Sequence, residues 1–315
     1  MRLIRKLTGT ALLVGATAFA QTALAQQTIK IGALNPYSGP MALYGSEVTR
    51  GYELAVDKVN AAGGVLGKKI ELIRGDVTNP QQGIATVEQL VSKDKVDMFV
   101  GTYVSGISLT ASDTAMRYNK LYWETNAVAQ ALTERGLPNF IRSGPDGNAF
   151  ANTSSATVRD LIAPALKKDI KGLKVWLEHE ESIYGTSIAQ GQKRILEAFG
   201  AKVVGVGSHS SRSIDLNDTV LRAKQADPDV VVQTGYVPDG NLLLRTMREQ
   251  GFKPAAILFV GTGDTPETLE AMGSYMEGIL VTGYPRNDIS EKFGPGNSAY
   301  LKAYQAKYKA DPIAP

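Results

Sequence analysis

The sequence predicts an α/β protein built from two lobes, each with a parallel sheet flanked by helices. Short β-branched runs alternate with segments of helical periodicity through residues 28–283, which is the pattern of successive βαβ units. Nine predicted strands are many for one compact sheet. The glycine- and proline-containing stretch 133–152 shows little periodicity, and it therefore predicts the boundary between the two lobes.

Each predicted element has a local reason in the sequence. Runs rich in β-branched and aliphatic residues predict strands at residues 28–34, 69–74, 96–101, 120–124, 173–179, 201–206, 229–235, 256–261 and 278–283. Between them, apolar residues recur at the spacing of one helical face, for example at Tyr52, Ala55, Val56 and Val59.

Helix ends are also marked. Asn79-Pro80 can supply the N-cap and first residue of a helix whose apolar face follows at positions 84, 87, 90 and 91. Gly200 follows an apolar periodic run and predicts a C-terminal stop.

The N-terminus has the three parts of a secretory signal peptide. Arg2, Arg5 and Lys6 form a basic region, residues 7–20 carry no charge, and Ala23-Leu24-Ala25 supplies small residues for cleavage. The apolar part is shorter than the roughly 20 residues that a bilayer requires. We therefore predict a signal peptide at residues 1–25, cleaved on export, and no direct membrane anchor.

Charge and cysteine content narrow the possible partners and the location. Removing the three basic residues of the signal from the 34 in the chain leaves 31, which equals the 31 acidic residues. A mature chain of net charge zero gives no sign of a nucleic-acid partner. The chain has no cysteine, which excludes disulfides, a thiol nucleophile and a lipid-modified cysteine. These features predict a freely diffusing periplasmic protein.

Motifs for catalysis or cofactor binding are missing from the sequence. His179 and His209 are the only histidines, and their surroundings match no standard metal-ligand spacing. The sequence contains no HExxH, GxSxG or GxxxxGK[ST] motif. We therefore expect no cofactor, no metal and no enzymatic activity.

Two segments that follow predicted strands are candidate ligand contacts, because ligands of open α/β sheets lie beyond the carboxyl ends of strands. Residues 37–45 follow the first strand and include Tyr44; an ordinary turn is the alternative. Residues 101–108 follow the third strand, where Ser105 can cap a helix whose free N–H groups would attract a carboxylate. Capping alone would need no ligand.

A third candidate segment, 123–128, follows the fourth predicted strand. It carries Trp123, Thr125 and Asn126, which could face the same crevice. Trp123 could equally lie in the core.

Motifs along the chain resemble those of one family. They are Ser38-Gly39-Pro40, Tyr44-Gly45, Gly51-Tyr52-Glu53-Leu54-Ala55-Val56, the run from Val59-Asn60-Ala61-Ala62-Gly63-Gly64 to Leu72, Gly75-Asp76, Asn79-Pro80, Tyr184-Gly185, Gly235-Tyr236 and Gly278-Ile279-Leu280-Val281-Thr282. The sequence resembles the leucine/isoleucine/valine-binding family of periplasmic substrate-binding proteins of ABC importers. The resemblance covers nearly all of residues 28–315, and the Asn-Ala-Ala-Gly-Gly run is its most specific part.

This resemblance implies a type I periplasmic-binding fold in which crossovers join the lobes and a hinge motion closes them on a ligand. Residues 26–142 with 284–315 are expected to form lobe 1, and residues 143–283 lobe 2. The implied partners are a small polar or carboxylated molecule, in the branched-chain amino acid, amide, urea or aromatic acid classes, and a membrane permease. The protein is expected to act as a monomer.

The resemblance also implies roles for particular residues. The Ser105 hydroxyl and the amide of Ala127 would hold a ligand carboxylate. Tyr44, Tyr184 and Tyr236 would line the cleft.

Two positions depart from amino-acid binders of the family. Val128 stands where those proteins have a threonine that accepts from the ligand ammonium, and Gly263 where they have an acidic residue, with Asp264 beside it. A buried ammonium without an acceptor would cost several kcal/mol. Either Asp264 takes that role or the ligand lacks an α-amino group.

The far end of the chain departs from the family as well. Family members continue past the position of Pro315 through another helix and a final crossover, so the sequence predicts a fragment or a truncated copy. Two alternatives to a transport protein remain: a ligand-sensing regulator on the same fold, and an exported enzyme.

Overall fold

The computed structural model describes residues 28–313 of the 315-residue chain. The predicted signal peptide, residues 1–25, lies outside the described residues. The described chain forms two sheets of five strands each. Every strand pair in both sheets is parallel, which confirms the α/β prediction, because strand–helix alternation produces parallel neighbours.

The first sheet is built from the N-terminal part of the chain. Its strands are β1 (Ile29–Asn35), β2 (Ile70–Asp76), β3 (Met98–Gly101), β4 (Leu121–Glu124) and β5 (Phe140–Arg142), in the spatial order β2-β1-β3-β4-β5. The helices between them are α1 (Ala42–Ala61), α2 (Pro80–Gln89), α3 (Ser105–Arg117) and α4 (Ala131–Glu134).

The second sheet follows in the chain. Its strands are β6 (Lys174–Glu180), β7 (Lys202–His209), β8 (Val230–Thr234), β9 (Ala256–Val260) and β10 (Leu280–Thr282), in the order β10-β9-β8-β6-β7. The accompanying helices are α5 (Gly147–Thr157), α6 (Ala163–Ala165), α7 (Ile183–Phe199), α8 (Asn217–Gln225), α9 (Val237–Glu249) and α10 (Pro266–Met272). A last helix, α11 (Asn297–Tyr308), comes after β10.

All nine predicted strands are present, with ends displaced by a few residues. The tenth, β5, was not predicted because its three residues lie inside the weakly patterned stretch 133–152. Its pairing with β4 places Phe140 opposite Tyr122, and their rings stack with centroids 5.8 Å apart. Tertiary packing therefore specifies this strand more than its own sequence does.

The predicted helix ends agree with the structure at two places. Asn79 caps α2 by accepting from the Gln82 N–H at 2.9 Å, and Pro80 is the first helical residue. Gly200 ends α7 in the left-handed conformation with φ 92°, which glycine adopts without steric cost.

The two sheets bury separate cores that meet between the lobes. Tyr103 and Val104, which follow β3 of the first sheet, pack against the apolar cluster of the second. In the opposite direction, Ile183 at the start of α7 packs against a small cluster containing Ala127 and Leu132. The lobes are thus in direct contact in this structure.

After β10 the chain returns to the first lobe. The buried Tyr304 hydroxyl of α11 donates to Glu47 of α1 at 2.5 Å and accepts from Arg50 at 2.8 Å. Lys307 forms an ion pair with Asp57 at 2.7 Å. These contacts attach α11 to α1.

Among residues 28–313, none of the helices has both the length and the apolar character that a membrane span requires.

Candidate ligand-binding site

Two adjoining cavities lie between the lobes. They are lined by residues that follow the carboxyl ends of strands from both sheets: Tyr103 and Ser105 after β3, Asn126 and Val128 after β4, Tyr184 after β6, Tyr236 after β8 and Gly261 after β9. This is the edge at which open α/β sheets bind ligands. The cavities have volumes of about 20 and 30 Å³, room for about one or two water molecules each. A larger guest therefore requires the lobes or the lining rings to move.

The first cavity is walled mainly by aromatic rings. Its lining consists of Tyr103, Phe150, Tyr184, Tyr236 and Tyr284 with Ser105, Asn126, Val128 and Gly261. No residue in that set carries a formal charge. Its surface suits an apolar, flat body with a polar end near Ser105 and Asn126.

The second cavity shares four walls with the first, Tyr103, Tyr236, Gly261 and Tyr284. It adds Tyr44, Asp264 and Thr265, among others. Asp264 is the single charged residue of this lining. A cationic group bound between the lobes would therefore find its carboxylate partner here and not in the first cavity.

The rings contact one another in pairs. Tyr44 stacks on Tyr103 and Tyr184 is tilted against Tyr236, each pair with centroids 5.1 Å apart. The Phe150 ring meets the Tyr284 ring edge to face at 5.4 Å, and Tyr284 comes from the segment that leaves β10. Such pairs stabilise by about 0.5–1.5 kcal/mol beyond their burial.

The tyrosine hydroxyls of the cleft remain protonated at neutral pH. Burial raises the pKa of Tyr44 to about 12, and burial also raises the pKa of Tyr103, Tyr184 and Tyr236 well above the ordinary value. The buried Tyr44 hydroxyl makes no hydrogen bond of good geometry within residues 28–313, although the Thr265 side chain lies near it. It can therefore donate to an acceptor on a bound molecule.

Ser105 presents a hydroxyl to the first cavity. Its Oγ accepts from the Ala129 N–H at 3.2 Å, which leaves its single O–H free to donate. The prediction that Ser105 caps the helix is wrong, because Val104 is the N-cap and Ser105 is the first residue of α3. Its side chain consequently faces the cleft instead of the helix end, and the N–H groups of that helix start lie beside it.

A buried carboxylate shapes the loop after β4 from inside. Glu124 Oε1 accepts from the N–H groups of Thr125, Asn126 and Ala127 at 2.9–3.0 Å. Its Oε2 accepts from the Thr102 N–H at 2.6 Å. The Ala127 N–H, which the resemblance assigns to a ligand carboxylate, is thus already engaged by Glu124 in this structure.

The predicted residues of this loop divide into two groups. The side chains of Asn126 and Val128 line the first cavity. Thr125 does not; its hydroxyl lies 2.5 Å from the Tyr52 hydroxyl and donates to Asn126 Oδ1 at 2.7 Å. Ala127 packs into a small apolar cluster.

From the second lobe, Tyr184 and Tyr236 both line the first cavity. The Tyr184 hydroxyl lies 3.4 Å from the carbonyl oxygens of both Gly235 and Val260 and can donate to either. Gly261 has φ +74°, and a Cβ on it would lie 2.0 Å from the Tyr184 hydroxyl. Only glycine leaves room for that ring at the carboxyl end of β9.

Sequence reasoning missed Tyr103, Phe150, Gly261 and Tyr284. Tyr103 lies inside the candidate segment 101–108, and as its aromatic residue it could have been named as a ligand contact. The other three belong to α5, the end of β9 and the segment after β10, and only the three-dimensional fold brings them to one cavity.

Residues from both sheets meeting around an interlobe cavity define a two-lobed α/β protein that binds a small molecule. The chain belongs to the periplasmic binding protein family, whose sequence profile matches residues 28–315. Membership implies a periplasmic location.

No group of three or more His, Asp or Glu residues that could hold a metal occurs within the described part of the chain.

Relatives and solved structures agree with this assignment. The chain is 38% identical to Leu/Ile/Val-binding protein homolog 7 of Brucella suis over 299 residues, 94% of this chain and 75% of that protein. It is 38% identical to homolog 8 of the same organism over 314 residues, 99% and 78% of the two chains.

Two solved structures show the same fold with different ligands. The branched-chain amino acid transporter substrate binding protein LivJ of Streptococcus pneumoniae, in complex with isoleucine, has a TM-score of 0.76 and 25% identity, covering 91% of this chain and 79% of that one. A solute binding protein of an ABC transporter from R. palustris, in complex with 4-hydroxybenzoate, has a TM-score of 0.77 and 22% identity, covering 91% and 76%.

Proposed function

We propose that this protein captures a small carboxylated molecule between its lobes and delivers it to an ABC import permease. The observation that carries the proposal is the cleft itself. Five of the residues expected at the ligand, Ser105, Asn126, Val128, Tyr184 and Tyr236, line the first cavity, and Tyr44 and Asp264 line the adjoining one.

The carboxylate would bind at the lobe 1 side of the first cavity. Ser105 offers its O–H there, and α3 begins at Ser105, so its first N–H groups have no intrahelical acceptor and lie at the positive end of the helix dipole. Hydrogen bonds of this kind to an ionised acceptor are short and strong. Ser105 and α3 therefore take the role that the engaged Ala127 amide does not fill in this structure.

The ring-lined, uncharged first cavity favours a flat apolar body over an α-ammonium group. We infer that aromatic carboxylates fit better than leucine, and the complex of the R. palustris protein with 4-hydroxybenzoate gives a precedent on this fold. A zwitterionic amino acid, such as the isoleucine of the LivJ complex, would have to place its ammonium against Asp264 in the second cavity.

A thermal-shift screen decides the ligand class, because a ligand that binds only the folded state raises the midpoint of unfolding. The panel is benzoate, 4-hydroxybenzoate, leucine, isoleucine, short amides, urea and short acids. We expect the largest shift from an aromatic carboxylate. A larger shift with leucine would reject this inference.

Asp264→Asn separates the two binding modes. It removes a charge from the second cavity and none from the first. An amino acid would lose at least about tenfold in affinity with its ion-pair partner gone, whereas benzoate would be bound as before. Equal losses for both ligands would show that the two cavities do not act separately.

Lobe bounds and the absence of turnover are parts of the same proposal. We assign residues 26–142 with 284–315 to lobe 1 and residues 143–283 to lobe 2. The sheet membership of β5 and β10 and the packing of α11 on α1 support these bounds.

A monomer that binds without turnover is expected to show a stoichiometric binding heat and a constant ligand concentration. Sustained loss of ligand would indicate an enzyme. The regulator alternative is not favoured, because the relatives and neighbours are transport proteins.

Export is tested on the protein itself. Intact-mass measurement of the periplasmic fraction should give a chain that starts at Gln26. A chain that retains residues 1–25 would contradict cleavage at the predicted site.

A further inference from the structure

A histidine is buried between two carboxylates behind the cleft. His209 Nδ1 lies 2.8 Å from Glu178 Oε1, and its Nε2 lies 3.1 Å from Asp239 Oδ2. The side chains of all three are at most 2% exposed. None of them lines either cavity, so ligand contact does not explain them.

This group is joined to the cleft through the backbone of Tyr236. Asp239, in the first turn of α9, accepts from the Tyr236 N–H at 3.0 Å. On the far side, the Trp176 indole N–H donates to Glu178 Oε2 at 2.9 Å. A chain of hydrogen bonds thus runs from Glu178 on β6 through His209 at the end of β7 and Asp239 to Tyr236, which lines both cavities.

With Glu178 and Asp239 both ionised, the arrangement requires both histidine nitrogens to donate. Burial raises the pKa of Asp239, and its hydrogen bond to His209 acts in the opposite direction. A neutral imidazole carries one N–H and could satisfy one carboxylate only, whereas a protonated ring can donate to both in charge-assisted bonds. Burial by itself lowers the pKa of His209, and the hydrogen bonds to Asp239 and Glu178 outweigh this effect and raise it to about 9.

Other ionisable groups nearby have different partners. Glu180, the next carboxylate of β6 on the same side, accepts from the Ser182 and Gly185 N–H groups at 2.8 Å. Helices α7 and α8 also pack on β7. Among residues 28–313, the His209 side chain has its hydrogen bonds with Glu178 of β6 and Asp239 of α9 and none with α7 or α8.

We propose that His209 is a positioning residue for ligand binding, which acts through Asp239 to hold the backbone and ring of Tyr236 at the cleft. It does so without touching the ligand. The proposal rests on the proposed function only in taking the interlobe cavities as the ligand site. Replacing His209 by a neutral residue leaves two buried carboxylates facing each other, and Asp239 then no longer fixes the start of α9.

The matched pair of variants is His209→Gln and His179→Gln. His179 is the other histidine of the chain, is also buried, and contacts the carbonyl of Glu180 without reaching the cleft. Amide hydrogen exchange at the Tyr236 N–H reads the positioning directly and needs no ligand. We expect exchange there to be at least about tenfold faster in His209→Gln than in the wild type, and unchanged in His179→Gln.

Ligand affinity is the second readout, measured by calorimetry with benzoate because its charge is constant above neutral pH. His209→Gln should weaken benzoate binding by about tenfold or more, and His179→Gln by less than twofold. Wild-type affinity should fall as pH rises through about 9, where His209 loses its proton, and the affinity of His209→Gln should not follow that profile.

The outcomes separate the two proposals. If benzoate does not bind the wild type, the aromatic carboxylate inference fails, and Tyr236 exchange alone decides the role of His209. If His209→Gln does not fold, the wild-type pH profile and a histidine NMR titration decide it. Unchanged Tyr236 exchange in a folded His209→Gln, or a wild-type affinity that is flat from about pH 7 to about pH 10, would overturn the positioning role.

Discussion

Replacing Ser105 by alanine tests the carboxylate end of the cleft most directly. The side chain is 1% exposed and lines the first cavity. Its Oγ accepts from the Ala129 N–H at 3.2 Å, and this leaves its O–H available to donate to a ligand. The substitution therefore removes the O–H that would donate to the ligand carboxylate. It also removes the oxygen that accepts from the Ala129 N–H.

These two losses have separate magnitudes. A hydrogen bond to a charged group contributes about 1.5–3 kcal/mol, so the dissociation constant for a carboxylate ligand should rise by about 10- to 100-fold. An unpaired buried N–H at Ala129 should lower the free energy of unfolding by about 1–3 kcal/mol. Calorimetric titration measures the first quantity and urea unfolding without ligand the second.

The control for this substitution is Ser112→Ala in the same helix. Ser112 is also buried, donates to the Ser108 carbonyl at 2.6 Å and lies outside both cavities. It should reproduce a loss of stability without a loss of affinity. If Ser105→Ala lowers stability but changes affinity by less than twofold, Ser105 is a packing residue and the carboxylate lies elsewhere.

Two further substitutions test other parts of the structure. Gly261→Ala would place a Cβ 2.0 Å from the Tyr184 hydroxyl, so it should move that ring and weaken binding by at least about tenfold; unchanged affinity would show that the ring does not contribute. Tyr304→Phe leaves Glu47 and Arg50 without a shared hydroxyl, which should lower the free energy of unfolding by about 1–3 kcal/mol while ligand affinity stays the same. A cooperative urea transition at the wild-type midpoint would contradict this second prediction.

The long, regular elements were predictable because their signals are local. A strand such as β8, buried along its whole length, begins with three consecutive valines at positions 230–232, and the helix of residues 80–89 begins with an explicit cap. Strand β5 had no such signal, since three residues cannot show an alternation. Its existence depends on Tyr122 and Phe140 meeting across the sheet.

The candidate site was predictable in position more than in detail. Strand ends locate the cleft, so Ser105 and Tyr236 could be found from the chain order and the resemblance. The engagement of the Ala127 N–H could not be anticipated, because it depends on how deeply Glu124 turns its carboxylate into the loop. Likewise, nothing in the sequence near His209 indicates that Asp239 lies opposite it.

The way Glu124 holds the loop after β4 has a consequence for redesign. Its carboxylate is bound by consecutive backbone N–H groups and by the Ser108 hydroxyl, so the course of the loop is set by a group that faces away from the ligand. Substitutions at positions 126 and 128 should then leave the backbone conformation of the loop unchanged. A library varied at those two positions, with Glu124 retained, is a rational starting point for turning this protein into a sensor for other small acids.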